Sequence, residues 1–460
     1  MKNKIIGFFI CVLLIAITIP IVGSTDLIIN HEKNIISADP LDGGWIEEAD
    51  GVTILHLSGS YYDMGYQQGK LLKDKINENI KMINRFFERR GYTYEVILEI
   101  WNIMKNFLPN QYKNEMQGMA DALDISFEEV AVYNTWPAVV NHIFVSCCSA
   151  ALWDSATIDG NLYHMRSLDI LQPGLNIKDP DTGTTFRENQ ILLVRQPDNG
   201  YASVYPVSAG AIYSWGGINE KSIAIAANTC LTSDSTFNGI SIAFRMRMVL
   251  DHAKSADDAI DIINENRTCG WNIIISDGKI PMGYVIEQTA NLIYTGTWFH
   301  TVESTDPFWE IENVVRRTPM FISPNCAATQ QYRKNYDPSG LRGFLLFLID
   351  ENLYFTVWSK YRALSREFEN KFGNLDLNNT MTLLRDTYLG KTDFLFRLTQ
   401  KISPYMSLHQ WVICPKTGEI VICFADADND TACKNPVHYF KMSELIKEKS
   451  KQFISPFVLS

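Results

Sequence analysis

The order of its patterns predicts a single α+β domain for this chain. Residues 59–134 carry the apolar periodicity of helices, and Ser126 and Glu129 have the spacing of a capping box. From Val145 onward the pattern changes to short alternating segments typical of strands. Helical patterns return later, at 240–264, 341–372 and 378–388. Because no Pro- or Ser-rich linker interrupts these runs, we expect layers packed around a shared core.

Two-residue turn signals predict the hairpins. Asp159-Gly160 lies between SCCSAALW and NLYHMRSLDI, Asp277-Gly278 lies between WNIIIS and MGYVIE, and Thr417-Gly418 separates a last pair of strands. Another strand is expected at NLIYTG. Further strands are predicted at ILLVRQ, ASVYPV, AIYSW and SIAIAAN, the last of which ends at Asn228.

Composition excludes several classes of protein. A chain of 460 residues is long enough to bury a hydrophobic core without disulfides or metal ions to stabilise it. A net charge of −11 argues against a nucleic-acid partner, because there is no basic stripe of residues that could neutralise the phosphates. The sequence has neither a CxxC nor an HExxH motif, and its eight histidines are scattered. We therefore predict no metal site and no cofactor.

The N-terminus has the pattern of an export signal. Lys2 and Lys4 precede an apolar run over 5–22, and small residues follow it. The run is about 18 residues long, so an uncleaved anchor is the alternative. The prediction is a secreted or cell-surface protein whose only membrane contact is this segment. Export permits disulfides, so Cys414 and Cys423 either pair across a hairpin or stay as two buried thiols.

The adjacent cysteines Cys147 and Cys148 are the candidate nucleophiles. A nucleophilic thiol needs a nearby base or positive charge. The predicted hairpin carries Arg166 and Asp169 back beside the pair, but these two lie three apart in a strand and face opposite sides. No histidine partner and no helix dipole are evident. An N-terminal α-amino group, with a pKa near ~7.7–8, would be a suitable base at neutral pH.

The stretch CCSAALWDSATIDGNLYHMRSLD resembles the branch of N-terminal-nucleophile (Ntn) hydrolases that contains acyl-CoA:6-aminopenicillanic-acid acyltransferase. Bile salt hydrolases and acid ceramidase are more distant relatives of the same plan. The family's Arg-Asn-x-Asp element is matched by Arg166 to Asp169. Weaker matches lie in order along the chain, at Gly59, Gly65, Gly69, Glu115, Gly118, Ala120, Glu220, Asn228, Asn272, Asp277, Gly278 and Glu287.

The resemblance implies a four-layer αββα sandwich with a helical N-terminal pro-segment, activated by self-cleavage. It divides the chain into a signal peptide or anchor over 1–24, a pro-segment over 25–146 and a catalytic chain over 147–460. The family's spacing to Trp153 and Asp159 favours Cys147, whereas counting from Cys148 gives the usual Ser149 as next residue. Ser146 then stands where the acyltransferase has Gly.

The resemblance also implies roles for single residues. Arg166 would contact the surroundings of the nucleophile, Asp169 would hold the free α-amine, and Asn228 would donate to the oxyanion, with Asn272 a weaker candidate for substrate binding. Relatives carry Arg-Thr-Asn-His-Phe where this chain has Pro319 in place of Asn. Proline has no amide to donate, so Asn325 is the expected substitute.

The predicted function is a cysteine amidohydrolase or acyltransferase that acts on a small-molecule acyl amide or acyl donor, with its own pro-segment as partner. One alternative is an exported binding protein that keeps the fold without turnover, which Pro319 favours. Another is a lipid amidase or phospholipase-like esterase. Aromatic residues that could line an acyl pocket are Tyr61, Tyr62, Trp101 and Phe107.

Overall fold

The computed structural model describes most of the chain downstream of its N-terminus. The described residues are 33–34, 43–49, 51–139, 147–171, 177–331, 337–350, 353–402 and 405–446. The predicted leader over 1–24 and the predicted cleavage position at Ser146 lie outside them. Within these ranges, none of the helices has the length and apolar character needed to cross a bilayer.

The described strands form two sheets, in which every pairing is antiparallel except the parallel pair β3–β6. The larger sheet has the order β1-β2-β3-β6-β7-β8-β9-β10-β11-β12. Its strands are β1 (Lys33–Asn34), β2 (Trp45–Ala49), β3 (Val52–Gly59), β6 (Gln190–Pro197), β7 (Ser203–Ser208), β8 (Gly216–Asn219), β9 (Ile223–Thr229), β10 (Trp271–Asp277), β11 (Met282–Gln288) and β12 (Ile293–Gly296).

The smaller sheet has the order β13-β4-β5-β14-β15-β16. Its strands are β4 (Cys148–Asp154), β5 (Gly160–Leu171), β13 (Val314–Arg317), β14 (Tyr405–Cys414), β15 (Glu419–Phe424) and β16 (His438–Lys441).

Helices occupy the outer face of each sheet. The larger sheet is covered by α1 (Tyr61–Leu71), α2 (Lys73–Glu88), α3 (Tyr94–Met104), α4 (Asn110–Leu123), α5 (Phe127–Val139), α6 (Ile242–His252) and α7 (Ala256–Asn264). The remaining helices are α8 (Pro324–Ala328), α9 (Leu341–Asp350), α10 (Leu353–Asn370), α11 (Leu377–Tyr388), α12 (Phe394–Ile402) and α13 (Met442–Leu445). Of these, α10 and α11 pack on the smaller sheet.

The two sheets pack face to face around their own apolar layer. Ile54 and Leu192 of the larger sheet are buried against Trp411 and Ile413 of the smaller sheet. Ala151 and Ile274 belong to a second cluster between the sheets. With helices outside both sheets, the predicted four-layer αββα arrangement is confirmed.

The predicted capping box and hairpins are confirmed. Ser126 Oγ accepts from the Glu129 backbone N–H at 3.2 Å, and the Glu129 carboxylate accepts from the Ser126 N–H at 3.0 Å. The connection between β4 and β5 is longer than the predicted two-residue turn, because Asp154 pairs with Gly160 and residues 155–159 lie between them. Gly160 takes a φ of 71°, which favours glycine. The predicted helix over 240–264 is two helices, because Ser255 caps a new one.

The predicted strand at AIYSW is wrong. Ile212 donates its backbone N–H to Asn134 Oδ1 in α5 at 2.8 Å, and Ser214 donates to the Ala243 carbonyl in α6 at 3.1 Å. Its apolar side chains are buried in the same core as those helices. The apolar pattern of this segment therefore reflects its burial. Such a pattern alone does not distinguish a buried segment without regular structure from a strand.

Two glycines set how closely α1 and α4 pack. A Cβ on Gly65 would lie 1.9 Å from the Glu115 carbonyl oxygen, and one on Gly118 would lie 2.1 Å from the Tyr62 carbonyl oxygen. The helices therefore meet backbone to backbone, which only glycine permits. This contact fixes the position of α4 against α1, and with it the place where the Glu115 side chain enters the core.

Glu115 belongs to a buried ion cluster that joins the first helices to the rest of the chain. Its carboxylate accepts two hydrogen bonds from Arg195 Nη2, at 3.0 and 2.9 Å, and one from Arg247 Nη2 at 3.3 Å. Asp251 accepts from Arg247 Nε at 2.9 Å and from the Tyr61 hydroxyl at 2.9 Å. All four charged side chains are at most 1% exposed.

Replacing Arg195 with Met should lower the free energy of unfolding by about 3–5 kcal/mol, because it leaves part of a buried carboxylate charge uncompensated. Urea unfolding of the variant measures this loss. The exposed pair of Lys81 and Asp181 supplies the control, since Lys81→Met should change stability little. Equal effects of the two substitutions would contradict the assignment of the buried cluster as a stabilising contact.

Candidate active site

The two adjacent cysteines point to opposite faces of the smaller sheet. Cys147 directly precedes β4 and packs in the core on the side of the larger sheet. Cys148, the first residue of β4, packs with the helices outside the smaller sheet. Both side chains are buried. The alternation of side chains along a strand therefore gives the two thiols different surroundings.

Arg166 reaches from β5 to Cys147. Its Nη2 lies 3.7 Å from Cys147 Sγ, and its Nη1 donates to the carbonyl of Ala227 in β9. Register explains the approach, because Arg166 pairs with Ser149 in β4, two residues from Cys147 on the same face. The guanidinium thus bridges the two sheets directly beside the thiol.

Cys147 and Arg166 line a cavity, which we call the thiol cavity, whose empty space is about 660 Å³ when the part open to solvent is included. Its wall is mostly apolar and draws on both the first helices and the larger sheet. The helical residues are Ile83, Phe86, Phe87 and Trp136, and Trp215 and Trp271 come from the sheet side. The described residues that line it include no histidine and no carboxylate. Cys148 is not among them.

The two thiols differ in electrostatics as well as direction. Burial raises the pKa of the Cys147 thiol, and the positive charge of Arg166 opposes that rise. Burial and the negative charge of Asp169 raise the pKa of Cys148 to about 12. The Cys148 Sγ lies 3.2 Å from the Tyr388 hydroxyl. Of the two, Cys147 is the thiol with an adjacent guanidinium and an adjacent cavity.

Asp169 lies on the opposite face of β5 from Arg166, as three-residue spacing in a strand predicts. Its Oδ2 accepts from Lys360 Nζ of α10 at 2.8 Å and from the hydroxyl of Tyr388 in α11. Ser167 Oγ donates to its Oδ1 at 2.5 Å. Sequence reasoning missed Lys360 and Tyr388, because both come from helices about two hundred residues away, where they look like ordinary amphipathic positions.

Asn228 is buried in β9 with its amide hydrogens engaged. Its Nδ2 donates to Ser149 Oγ at 2.8 Å and to the Arg317 carbonyl at 3.1 Å. The neighbouring residue, Thr229, lines the thiol cavity, and its buried hydroxyl has no hydrogen-bond partner among the described residues. Asn228 therefore links the sheets at a point next to the cavity wall.

Neither predicted substrate-binding asparagine lines the thiol cavity. Asn272 donates both amide hydrogens to the segment around Pro319, to the Thr318 carbonyl at 2.8 Å and the Met320 carbonyl at 2.7 Å. Asn325 is exposed at the start of the short helix α8. The side chain of Asn325 is exposed and lies outside the thiol cavity, so its substitution for the amide missing at Pro319 stays a prediction.

The remaining cysteines that the structure describes are buried and form no disulfide. Cys414 pairs with Glu419 and Cys423 with Gln410 in the β14–β15 hairpin, so the register separates the two side chains. The part of the chain that the structure describes contains no group of three or more His, Cys, Asp or Glu side chains arranged to hold a metal ion.

Comparison with known families agrees with the motifs. Residues 174–301 match the family model described as acyl-coenzyme A:6-aminopenicillanic acid acyl-transferase. This match agrees with the predicted family, and it begins downstream of the two cysteines.

Several individual proteins are similar to the chain. Protein dcd1B of Dictyostelium discoideum is 23% identical over 278 residues, which cover 54% of this chain and 52% of that protein. An uncharacterised protein of Archaeoglobus fulgidus is 23% identical over 318 residues, covering 62% of this chain and 50% of that protein. The chain thus spans about half the length of the curated relatives it matches.

Two solved structures resemble the fold at low identity. A variant of the conjugated bile acid hydrolase from Clostridium perfringens has a TM-score of 0.39 and 15% identity, covering 65% of this chain and 93% of that chain. The Caenorhabditis elegans ortholog of N-acylethanolamine-hydrolyzing acid amidase has a TM-score of 0.37 and 13% identity, covering 64% of this chain and 100% of that chain.

Arg166→Met should make Cys147 less reactive toward iodoacetamide at neutral pH. Removing the guanidinium takes away the largest effect that opposes burial, so the thiol pKa rises and the thiolate fraction falls. Alkylation rates of the Cys147 peptide, followed by mass spectrometry across a pH series, measure the shift.

The matched control is Arg316→Met, which removes a buried guanidinium whose Nε bonds Ser365 instead. This variant should leave the pH midpoint of Cys147 alkylation in place. An unmoved midpoint in Arg166→Met would show that the guanidinium does not govern the thiol.

Proposed function

We propose that this chain, which matches the acyl-coenzyme A:6-aminopenicillanic acid acyl-transferase family over residues 174–301, hydrolyses or transfers the acyl group of a linear amide through a thioester on Cys147. The observation that carries the proposal is the placement of the Cys147 thiol. It lies at the thiol cavity with the Arg166 guanidinium 3.7 Å away. Cys148 has neither feature, since it faces the outer helices beside Tyr388.

The surroundings of Cys147 favour its own α-amine as the base. The described cavity-lining residues include no histidine and no carboxylate that would take the thiol proton. A free α-amine has a pKa near ~7.7–8 and is attached to the reacting residue, so it needs no further positioning element. We therefore propose that the chain cuts itself between Ser146 and Cys147. The thiol attacks the preceding carbonyl, the C–N bond breaks to free the α-amine, and water hydrolyses the resulting thioester to release the Ser146 carboxylate and the thiol.

The catalytic cycle then balances without a cofactor. The Cys147 sulfur adds to the amide carbonyl and its proton passes to the α-amine. The tetrahedral intermediate collapses, and the leaving amine takes that proton as the C–N bond breaks. Water or an acceptor amine attacks the thioester, gives its proton to the α-amine and releases the thiol. Asn228 would serve as oxyanion donor, as the family implies, by exchanging its bond to Ser149 for one to the substrate.

The cleaved N-terminal segment should remain part of the enzyme. Phe86, Phe87 and Trp136 supply one wall of the thiol cavity. The buried cluster of Glu115 with Arg195 and Arg247 joins the same segment to the residues after the cut. Loss of this segment would expose both the cavity and the ion cluster, so retention after cleavage is favoured. We also propose that residues 1–24 direct export.

Intact-mass analysis tests self-cleavage. Purified protein should give two fragments under denaturing conditions, the larger beginning at Cys147, and one complex of both under native conditions. Cys147→Ala should leave a single uncut chain, because it removes the attacking sulfur. Cys148→Ala is the matched control and should be cut as the wild type is. An active wild type that remains uncut, or a cut Cys147→Ala, would refute the mechanism.

The apolar wall of the thiol cavity favours a bulky apolar acyl group. Burying each methylene of an acyl chain stabilises the complex by about 0.8 kcal/mol. This supports the lipid amidase among the predicted alternatives. The non-catalytic alternative depended on Pro319. Because the segment around Pro319 is held by Asn272 and lies outside the thiol cavity, we favour turnover.

A series of N-acyl amides tests this preference. The specificity constant kcat/KM should rise by about fourfold per methylene until the cavity is filled. Phe87→Ser should flatten that rise, because it makes the wall polar. Phe299→Ser is a matched control, since Phe299 is 55% exposed and lines no part of the cavity. A flat series in the wild type would argue against an acyl-binding role for this cavity.

A further inference from the structure

Lys360 is a buried cation with a specific partner near the thiol. It lies in α10, its side chain is 0% exposed, and its Nζ is 2.8 Å from Asp169 Oδ2. Tyr388 donates to the same oxygen, and Ser167 donates to the other one. The carboxylate thus receives hydrogen bonds at both oxygens and a full positive charge at one.

Burying a lysine is costly unless an opposite charge compensates it, and a salt bridge in a core often contributes little net stability. The position of this pair suggests a further role. Asp169 belongs to the strand that delivers Arg166 to Cys147. Burial, which raises the pKa of the Cys147 thiol, and Arg166, which lowers it, have the largest effects. The charge of Asp169 raises this pKa further, whereas a hydrogen bond from the Asp169 backbone and the charge of Lys360 lower it. The pair therefore lies within electrostatic reach of the reacting residue.

We propose that Lys360 is a positioning residue that offsets the negative charge of Asp169, so that the α-amine of Cys147 is a free base at neutral pH. This inference rests on the proposed self-cleavage and on the role of holding the α-amine that the family resemblance implies for Asp169. A lone carboxylate beside an α-ammonium stabilises the protonated form, whereas a second cation destabilises it. With Lys360 present, Asp169 would orient the amine without holding its proton.

Other charged and titratable groups also face this site. Arg166 is on the same strand and adds a positive charge, while Tyr388 and Cys148 are neutral because burial raises their pKa values. Cys433 of the 432–434 turn is neutral for the same reason, and burial keeps His409 of β14 uncharged by lowering its pKa. Lys360 is therefore the cation that meets Asp169 directly, and its removal changes the local charge by one unit.

The pH dependence of kcat/KM in Lys360→Met tests the proposal. Each preparation is first checked by intact mass for a fragment that begins at Cys147. Without Lys360 the charge of Asp169 is unopposed, so the pKa of the α-amine should rise. The acidic limb of the kcat/KM profile, where activity falls as the amine becomes protonated, should therefore move to higher pH. Below the limb, kcat/KM should fall about tenfold for each pH unit of movement. Lys360→Arg keeps the positive charge and should leave the acidic limb of the profile at its wild-type pH.

Two controls separate this role from a structural one. Arg316→Met removes another buried cation that contacts α10 through Ser365, and its limb should not move. Lys360→Met combined with Asp169→Asn removes both charges, so it should fold even if Lys360→Met does not. This double variant should lack the upward shift because no anion remains.

The outcomes are distinct. An upward shift in Lys360→Met alone supports the proposal. An unmoved limb in folded, cut Lys360→Met overturns it, and so does an upward shift in the double variant. If wild-type protein is not cut, the proposed mechanism has failed before Lys360 is tested.

Discussion

The register between β4 and β5 is the constraint on which the site depends. Cys148 pairs with Ser167 and Ser149 pairs with Arg166. This pairing places Arg166 on the face that Cys147 shares and Asp169 on the other face. A slip of one residue would turn every side chain of β4 to the opposite face, and Cys148 would then meet the cavity. The layers on both sides of the sheet prevent such a slip, because each face of β4 is buried against a different core.

The first helices contribute to the site as well as to the core. Gly65 and Gly118 allow α1 and α4 to meet at backbone distance, and this contact directs Glu115 toward Arg195. Phe86 and Trp136, from the same helical layer, close the thiol cavity. The proposed backbone cut before Cys147 would leave all these contacts in place. Cleavage and separation would therefore be independent events in this architecture, and the cut would change the chemistry of one residue without dismantling the cavity.

Local patterns predicted most of the fold. The hairpin at Asp159-Gly160, the capping box at Ser126 and the strands around Asn228 depend on neighbours in sequence, and the structure confirms them. The segment AIYSW was assigned wrongly, because a short apolar run that is buried against helices looks like a buried strand in the sequence. The family motifs placed Arg166 beside Cys147, whereas Lys360 and Tyr388 reach Asp169 only through tertiary packing. No local pattern distinguishes a lysine that turns inward from one that faces solvent.

The hydrogen-bond donors near the thiol cavity differ in whether they already have an acceptor, and this difference determines how they could stabilise a developing negative charge. Both amide hydrogens of Asn228 have acceptors already, and those of Asn272 hold the segment around Pro319. Arg166 Nε and the Thr229 hydroxyl are buried at the cavity without a partner among the described residues. A donor that is already unpaired gives up no bond when it meets an oxyanion, whereas Asn228 must first release Ser149. The free-energy cost of exchanging partners therefore falls on Asn228, and Arg166 and Thr229 can stabilise the charge without that cost.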